Sequence, residues 1–138
     1  MMVQTEIIRK RLSRLDEILT VLKHLRNYSL EAFLATPEYY GSAERFLQIA
    51  IETTTDIGGH IIADLKLGEV NWYSDIPALL AEKKFISGEL REKWVRMIGF
   101  RNILVHDYLE VDRKIVYDVM QNHLQDLEER KKVFAEFL

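Results

Sequence analysis

The chain has 138 residues, of which 30% are charged and 48% hydrophobic, with a formal net charge of −3. That balance excludes a disordered chain, and the length predicts one domain over residues 1–138 with a core of its own. Cysteine is absent, which excludes disulfides and thiolate metal sites, and the net acidity argues against a general polyanion binder.

The first residues, Met1-Met2-Val3-Gln4-Thr5-Glu6, reach a charge at once and contain no apolar h-region, so no signal peptide is expected. No window approaches the roughly 18 uncharged apolar residues of a membrane span. A soluble cytoplasmic protein is the expectation. From Gln4 to Ala35, Ile8, Leu12, Leu15, Leu19 and Leu22 recur at spacings of four and three, the pattern of one amphipathic helix. Thr36-Pro37 ends it. A second helix is predicted from about Glu38 to Leu67, with Phe46, Leu47, Ala50, Ile51, Thr54, Ile57, Ile61 and Leu65 on its apolar stripe. Gly58-Gly59 falls inside that stripe. Two mid-helix glycines each cost about 1 kcal/mol relative to alanine, so a crossing helix is expected there.

Gly68 to Pro77 is rich in turn residues. Asp75 is expected to cap a short helix, Ile76 to Lys84, with Pro77 in its first turn. Ser87 opens a longer helix that runs to about Asp107. Asp112 caps a last helix extending to the end, with Ile115, Val119, Met120, His123, Leu124 and Leu127 on its stripe. No segment alternates as a strand would. The expected fold is all-α, an antiparallel four-helix bundle with one extra short helix.

Charge is not evenly spread. From Glu82 to Arg101 there are six basic residues against three acids, which suits a small anionic target or a solvated helix face. At the end of this stretch Arg101 falls where the series Leu90, Trp94, Met97/Ile98 calls for an apolar residue. A buried guanidinium needs an anion, supplied by the protein or by a ligand phosphate. Asn102 and His106 share a face of this helix, and Arg101 lies roughly 140° from His106 around the axis. Histidine moves protons near neutral pH, and arginine can hold a phosphorane-like transition state through a forked pair of hydrogen bonds. The set therefore suits phosphodiester cleavage without a metal. Spacing alone favours the plainer reading, in which Arg101 pairs with a core carboxylate and His106 is an ordinary residue at a helix C-terminus.

The string Arg101-Asn102-Ile103-Leu104-Val105-His106-Asp107-Tyr108 resembles the signature of the HepT-like proteins of the HEPN superfamily. Glu44 to Glu52 followed by Asp56 to Ile61 is similar to the second-helix segment of that family, so the likeness covers nearly the whole chain. The resemblance implies an HEPN-like helical homodimer and a ribonuclease toxin of a toxin–antitoxin pair. Arg101 and His106 would be catalytic, with Asn102 at the motif's polar position. Two motifs, one per copy, would line a shared cleft. The partner would be a nucleotidyltransferase antitoxin of the MNT type, which silences such toxins by transferring AMP to the tyrosine, here Tyr108. RNA would be cut by attack of its own 2′-hydroxyl, with no cofactor.

On the second helix, Glu52, Asp56, His60 and Asp64 follow at intervals of four. One histidine among carboxylates is a weak metal set, and no metal is expected. Asp56 is instead expected to be the polar partner of Arg101 or His106 across the glycine crossing. Trp72-Tyr73 and Tyr39-Tyr40 are expected to cap the bundle, although Trp72-Tyr73 could also stack on a base. Ser42 and Ser87 read as helix caps. The competing function is a non-catalytic binding subunit of a nucleotidyltransferase, in which Arg101 grips a nucleotide phosphate. A structural bundle with a buried Arg–Asp pair is the third possibility.

Overall fold

The computed structural model describes residues 3–138, and every regular element among them is helical. α1 spans Thr5–Leu25, α2 Leu30–Ala35, α3 Pro37–Leu65, α4 Asp75–Glu82, α5 Gly88–His106, α6 Arg113–Asn122 and α7 Leu124–Ala135. A 3-10 turn, Tyr108–Glu110, joins α5 to α6. The all-α bundle with a short extra helix is thus present, with two long segments each broken once.

The first break falls at residues 26–29. Asn27 and Ser29 are poor helix formers, and the Ser29 side chain accepts from Ala32 N–H to start α2. The freed carbonyls find partners on α6: Tyr117 donates to Tyr28 O at 2.7 Å and Gln121 to Arg26 O at 2.9 Å. Tyr28 then stacks on Tyr39 with ring centroids 3.9 Å apart. The second break is at His123, whose N–H makes the last α6 bond to Val119 O and whose carbonyl accepts from Asp126 N–H to open α7. On α6 Val116 is buried, whereas Ile115, expected on the stripe, is 53% exposed.

α3 is the axis of the molecule. At 29 residues it is about 44 Å long, and it packs against α1, α2, α4, α5, α6 and α7. Its stripe of Leu47, Ala50, Ile51, Ile57 and Ile61 meets Ile8, Leu15 and Leu22 of α1, Trp94 of α5 and Phe134 of α7 in one core. Ser42 lies inside α3 and caps nothing, whereas Ser87 accepts from Leu90 N–H and does start α5. Asp112 caps α6 as expected, through Lys114 N–H. Asp75 acts on the turn before α4 and not on α4 itself: its carboxylate takes the N–H groups of Asn71 and Trp72, each at 2.9 Å.

The glycine pair does mark a crossing. A Cβ on Gly58 would stand 2.7 Å from Ile76 Cγ2 and 3.2 Å from the Trp94 ring, so α4 and α5 both press on this point. At Gly59 the nearest atom would be Ile76 Cδ1 at 3.6 Å, an ordinary contact. Gly58→Ala is therefore expected to destabilise by about 1–3 kcal/mol through overpacking. Gly59→Ala should be neutral or mildly stabilising, by up to about 1 kcal/mol of helix propensity. Thermal melts of the two variants decide the point; equal melting temperatures would refute the close crossing at Gly58.

Candidate active site

Three features of the sequence set the local geometry. Ser87 fixes where α5 begins, and Leu90, Trp94, Met97, Ile98 and Leu104 fix which face it buries. Asp107 then ends the helix: its N–H bonds Ile103 O, and its carbonyl accepts from Glu110 N–H to form the 3-10 turn. Between these limits Arg101 occupies a position on the buried face, with its side chain 16% exposed.

Arg101 is held from three sides. Its Nη2 donates to Glu52 Oε2 at 3.3 Å and its Nη1 to Asn102 Oδ1 at 3.2 Å. The guanidinium also lies 5.5 Å from the centre of the Tyr73 ring. Its Nε is buried with no partner. The expected carboxylate partner was Asp56; the observed one is Glu52, one helical turn earlier. Asp56 pairs with Arg11 of α1 and stands 3.7 Å from His60 Nε2. The reason is reach: α1 lies against α3 and presents Arg11 to Asp56, leaving Glu52 as the acid nearest α5. Gln48 donates to Glu52 at 3.1 Å and steadies it.

Arg101, Glu52, Asp56, His60, Tyr73 and Arg11 all line one cleft of about 770 Å³. Asp56 therefore shares the cleft wall with Arg101 without touching it. Among the described residues no three acids or histidines converge as a metal set. The basic stretch before Arg101 is partly neutralised, since Lys93 pairs with Glu89 and Asp126, and Arg96 with Glu92.

Asn102 and His106 are exposed, and His106 is the last residue of α5. Tyr108 opens the 3-10 turn and is 68% exposed. A phenol so placed is accessible to a modifying enzyme. Tyr108 also borders a second groove, of about 390 Å³, shared with Glu44, Arg45 and Gln48 of α3 and Arg113 of α6. Burial holds the Glu44 carboxyl above the usual carboxylate range, an effect partly opposed by the Arg113 cation.

Other expectations fare unevenly. Trp72 and Tyr73 are 75% and 54% exposed, so they do not cap the bundle. Tyr40 lies under the Arg113 guanidinium at 3.9 Å, and Tyr39 packs on Tyr28. His24 stands edge-on to Tyr28, and His123 lies between Asp118 and Asp126, both surface roles.

A family model described as "Ribonuclease HepT-like" matches residues 7–134. The chain belongs to the HepT-like ribonuclease family. Among HepT-like relatives, it is 40% identical over 83 residues to the mRNA nuclease HepT of Shewanella oneidensis, a match spanning 60% of this chain and 62% of that protein. It is 31% identical over 125 residues to the tRNA nuclease HepT of Aphanizomenon flos-aquae, spanning 89% of this chain and 84% of the relative. In three dimensions it resembles the tri-AMPylated HEPN toxin of Shewanella oneidensis in complex with MNT antitoxin. The TM-score is 0.87 at 29% identity, over 94% of this chain and 97% of that one. The cytosolic protein YutE of Bacillus subtilis shares the fold, with a TM-score of 0.84 at 20% identity over 99% and 91% of the two chains.

Proposed function

We propose that this HepT-like chain is the toxin of a toxin–antitoxin pair, a cytoplasmic homodimeric endoribonuclease silenced by AMPylation of Tyr108. The observation that carries the reading is the end of α5. There a half-sunk arginine, braced by Glu52 and Asn102, leads within two turns to an exposed histidine and an exposed tyrosine. Both nuclease relatives and the AMPylated toxin structure support it. No described helix is long and apolar enough to cross a membrane.

In this reading a 2′-hydroxyl of RNA attacks the adjacent phosphorus. His106 accepts the hydroxyl proton, the new O2′–P bond forms, and the P–O5′ bond breaks. The O5′ leaving group takes a proton from the His106 of the second copy, and the product ends in a 2′,3′-cyclic phosphate. Arg101 neutralises charge on the non-bridging oxygens, while Glu52 and Asn102 set the plane of its guanidinium. Asp56 supports the cleft through Arg11. The layout of one chain supports a dimer in this reading: His106 does not line the cleft that holds Arg101, and a second copy would bring its own His106 to it. On the outer face of α5, Val95 and Ile103 are 38% and 46% exposed, and Gly99 meets nothing within 4 Å, which leaves room for a second copy.

Silencing requires a nucleotidyltransferase antitoxin of the MNT type and ATP. The Tyr108 phenolic oxygen attacks the α-phosphorus, the bond to the β-phosphate breaks, pyrophosphate leaves, and the phenolic proton passes to the antitoxin's base. The added phosphate puts negative charge beside His106 and opposes RNA.

Histidine and arginine supply proton transfer and charge neutralisation between them, so cleavage is expected to proceed in EDTA. His106→Ala should slow it by about 10²–10⁴-fold, the usual worth of a general acid–base, with helical circular dichroism unchanged. RNA left intact by folded, unmodified wild-type protein would sink the reading. It would favour instead a nucleotide-binding subunit that uses the Arg101 cleft to hold a phosphate.

A further inference from the structure

The groove beside Tyr108 plays no part in the cleavage chemistry above, yet its lining is specific. It brings two cations, Arg45 and Arg113, together with the amide of Gln48 and the carboxyl of Glu44, around the tyrosine itself. Arg45 is exposed and has no ion-pair or hydrogen-bond partner among the described residues. Arg113 lies 3.9 Å from Glu44 Oε1, at the limit of an ion pair, and its stacking on Tyr40 holds it in place. Gln48 spends its amide N–H on Glu52, which leaves its carbonyl oxygen free to accept. The lining thus offers two cations for a phosphate and two acceptors for ribose hydroxyls or an exocyclic amine.

We propose that this groove seats the first adenylyl group on Tyr108, with Arg45 and Arg113 holding its phosphate and the adenosine lying along α3 by Glu44 and Gln48. The inference rests on the proposed modification of Tyr108. A volume of about 390 Å³ is near the lower end of small-molecule sites, which span about 300–1,000 Å³, and suits one mononucleotide. Any further AMP unit lies outside it. Silencing is then more than added bulk: the seated group ties the 3-10 turn to α3 and fixes an anion next to His106. Seating also shields the tyrosyl phosphodiester from attack.

The test uses the full chain co-expressed with its nucleotidyltransferase. Mass spectrometry first locates AMP, and the modified protein is then exposed to a non-specific phosphodiesterase. Arg45→Glu is expected to release AMP at least tenfold faster than wild type, Arg113→Gln to fall between, and Arg45→Lys to match wild type. Arg45 is exposed and unpaired, so its variants should fold, and helical circular dichroism checks this. Equal release rates from all four proteins, each carrying AMP on Tyr108, overturn the seat and leave the modification standing. Absence of AMP from Tyr108 overturns both. If Arg45→Glu weakens RNA cleavage by the unmodified chain and leaves AMP release unchanged, the groove serves RNA and the seat is wrong.

Discussion

Arg101→Met is expected to remove RNA cleavage, by about 10²–10³-fold or more, in a protein that melts no lower than wild type. The loss in rate is that of a group which meets charge appearing only in the transition state. The stability half follows from the geometry. Arg101 keeps one carboxylate contact at 3.3 Å and one amide contact at 3.2 Å, while its buried Nε has no partner. An unsatisfied buried donor costs about 1–3 kcal/mol, and a hydrophobic replacement of similar length removes that cost along with the desolvated charge. Glu52, 33% exposed, can be solvated once its partner is gone. Arg101→Lys should also be inactive, because an ammonium cannot form the forked pair. RNA cleavage and thermal melts on the same preparations test both halves. Activity retained in Arg101→Met would remove this residue from the chemistry and favour a purely structural pair.

The largest effects on stability are expected at Arg130 of α7. This side chain is fully buried, yet its one hydrogen bond is Nη1 to Thr54 Oγ1 at 3.1 Å, and Nε and Nη2 have no partner. Its guanidinium lies 4.7 Å from the Trp94 ring centre, and burial pushes its pKa down to about 9, with Asp126 and Glu129 opposing. It is still a cation at neutral pH, held by a hydroxyl and an aromatic face. Thr54→Val removes the hydroxyl without changing shape and should destabilise by roughly 1–3 kcal/mol. Arg130→Met should be neutral or stabilise by up to roughly 4 kcal/mol, as found for other buried ionic groups exchanged for apolar ones. The double variant should regain most of what Thr54→Val loses, because the methionine no longer needs the hydroxyl. Denaturant melts read all three. A large loss of stability in Arg130→Met would mean that the guanidinium is better satisfied than its contacts indicate.

Much of the fold is visible as periodicity. The stripes of α1, α3 and α5, the caps at Ser87 and Asp112 and the crossing at Gly58 all follow from residue type and spacing. The breaks at residues 26–29 and 123 do not: the first has its carbonyls satisfied by Tyr117 and Gln121 far along the chain, and the second lies inside an apolar stripe that runs on unbroken from Val119 and Met120 to Leu124 and Leu127. The same limit explains Glu52 and Asp56. They sit one turn apart on one face of α3, and only the positions of α1 and α5 decide which acid meets which arginine. Arg130 is a different case, since a cation at an apolar position singles out Arg101, and the same signal recurs between Leu127 and Phe134.

The central place of α3 has a consequence for when the protein can act. Every other helix covers part of its apolar surface, and α7, which follows all of them in the chain order, covers the portion next to Thr54 and Trp94. A nascent chain that has already released α5, with Arg101 and His106, still lacks the wall against which Trp94 and hence α5 are packed. Synthesis from the N-terminus thus delivers Arg101 and His106 before the helix that holds α5 in register.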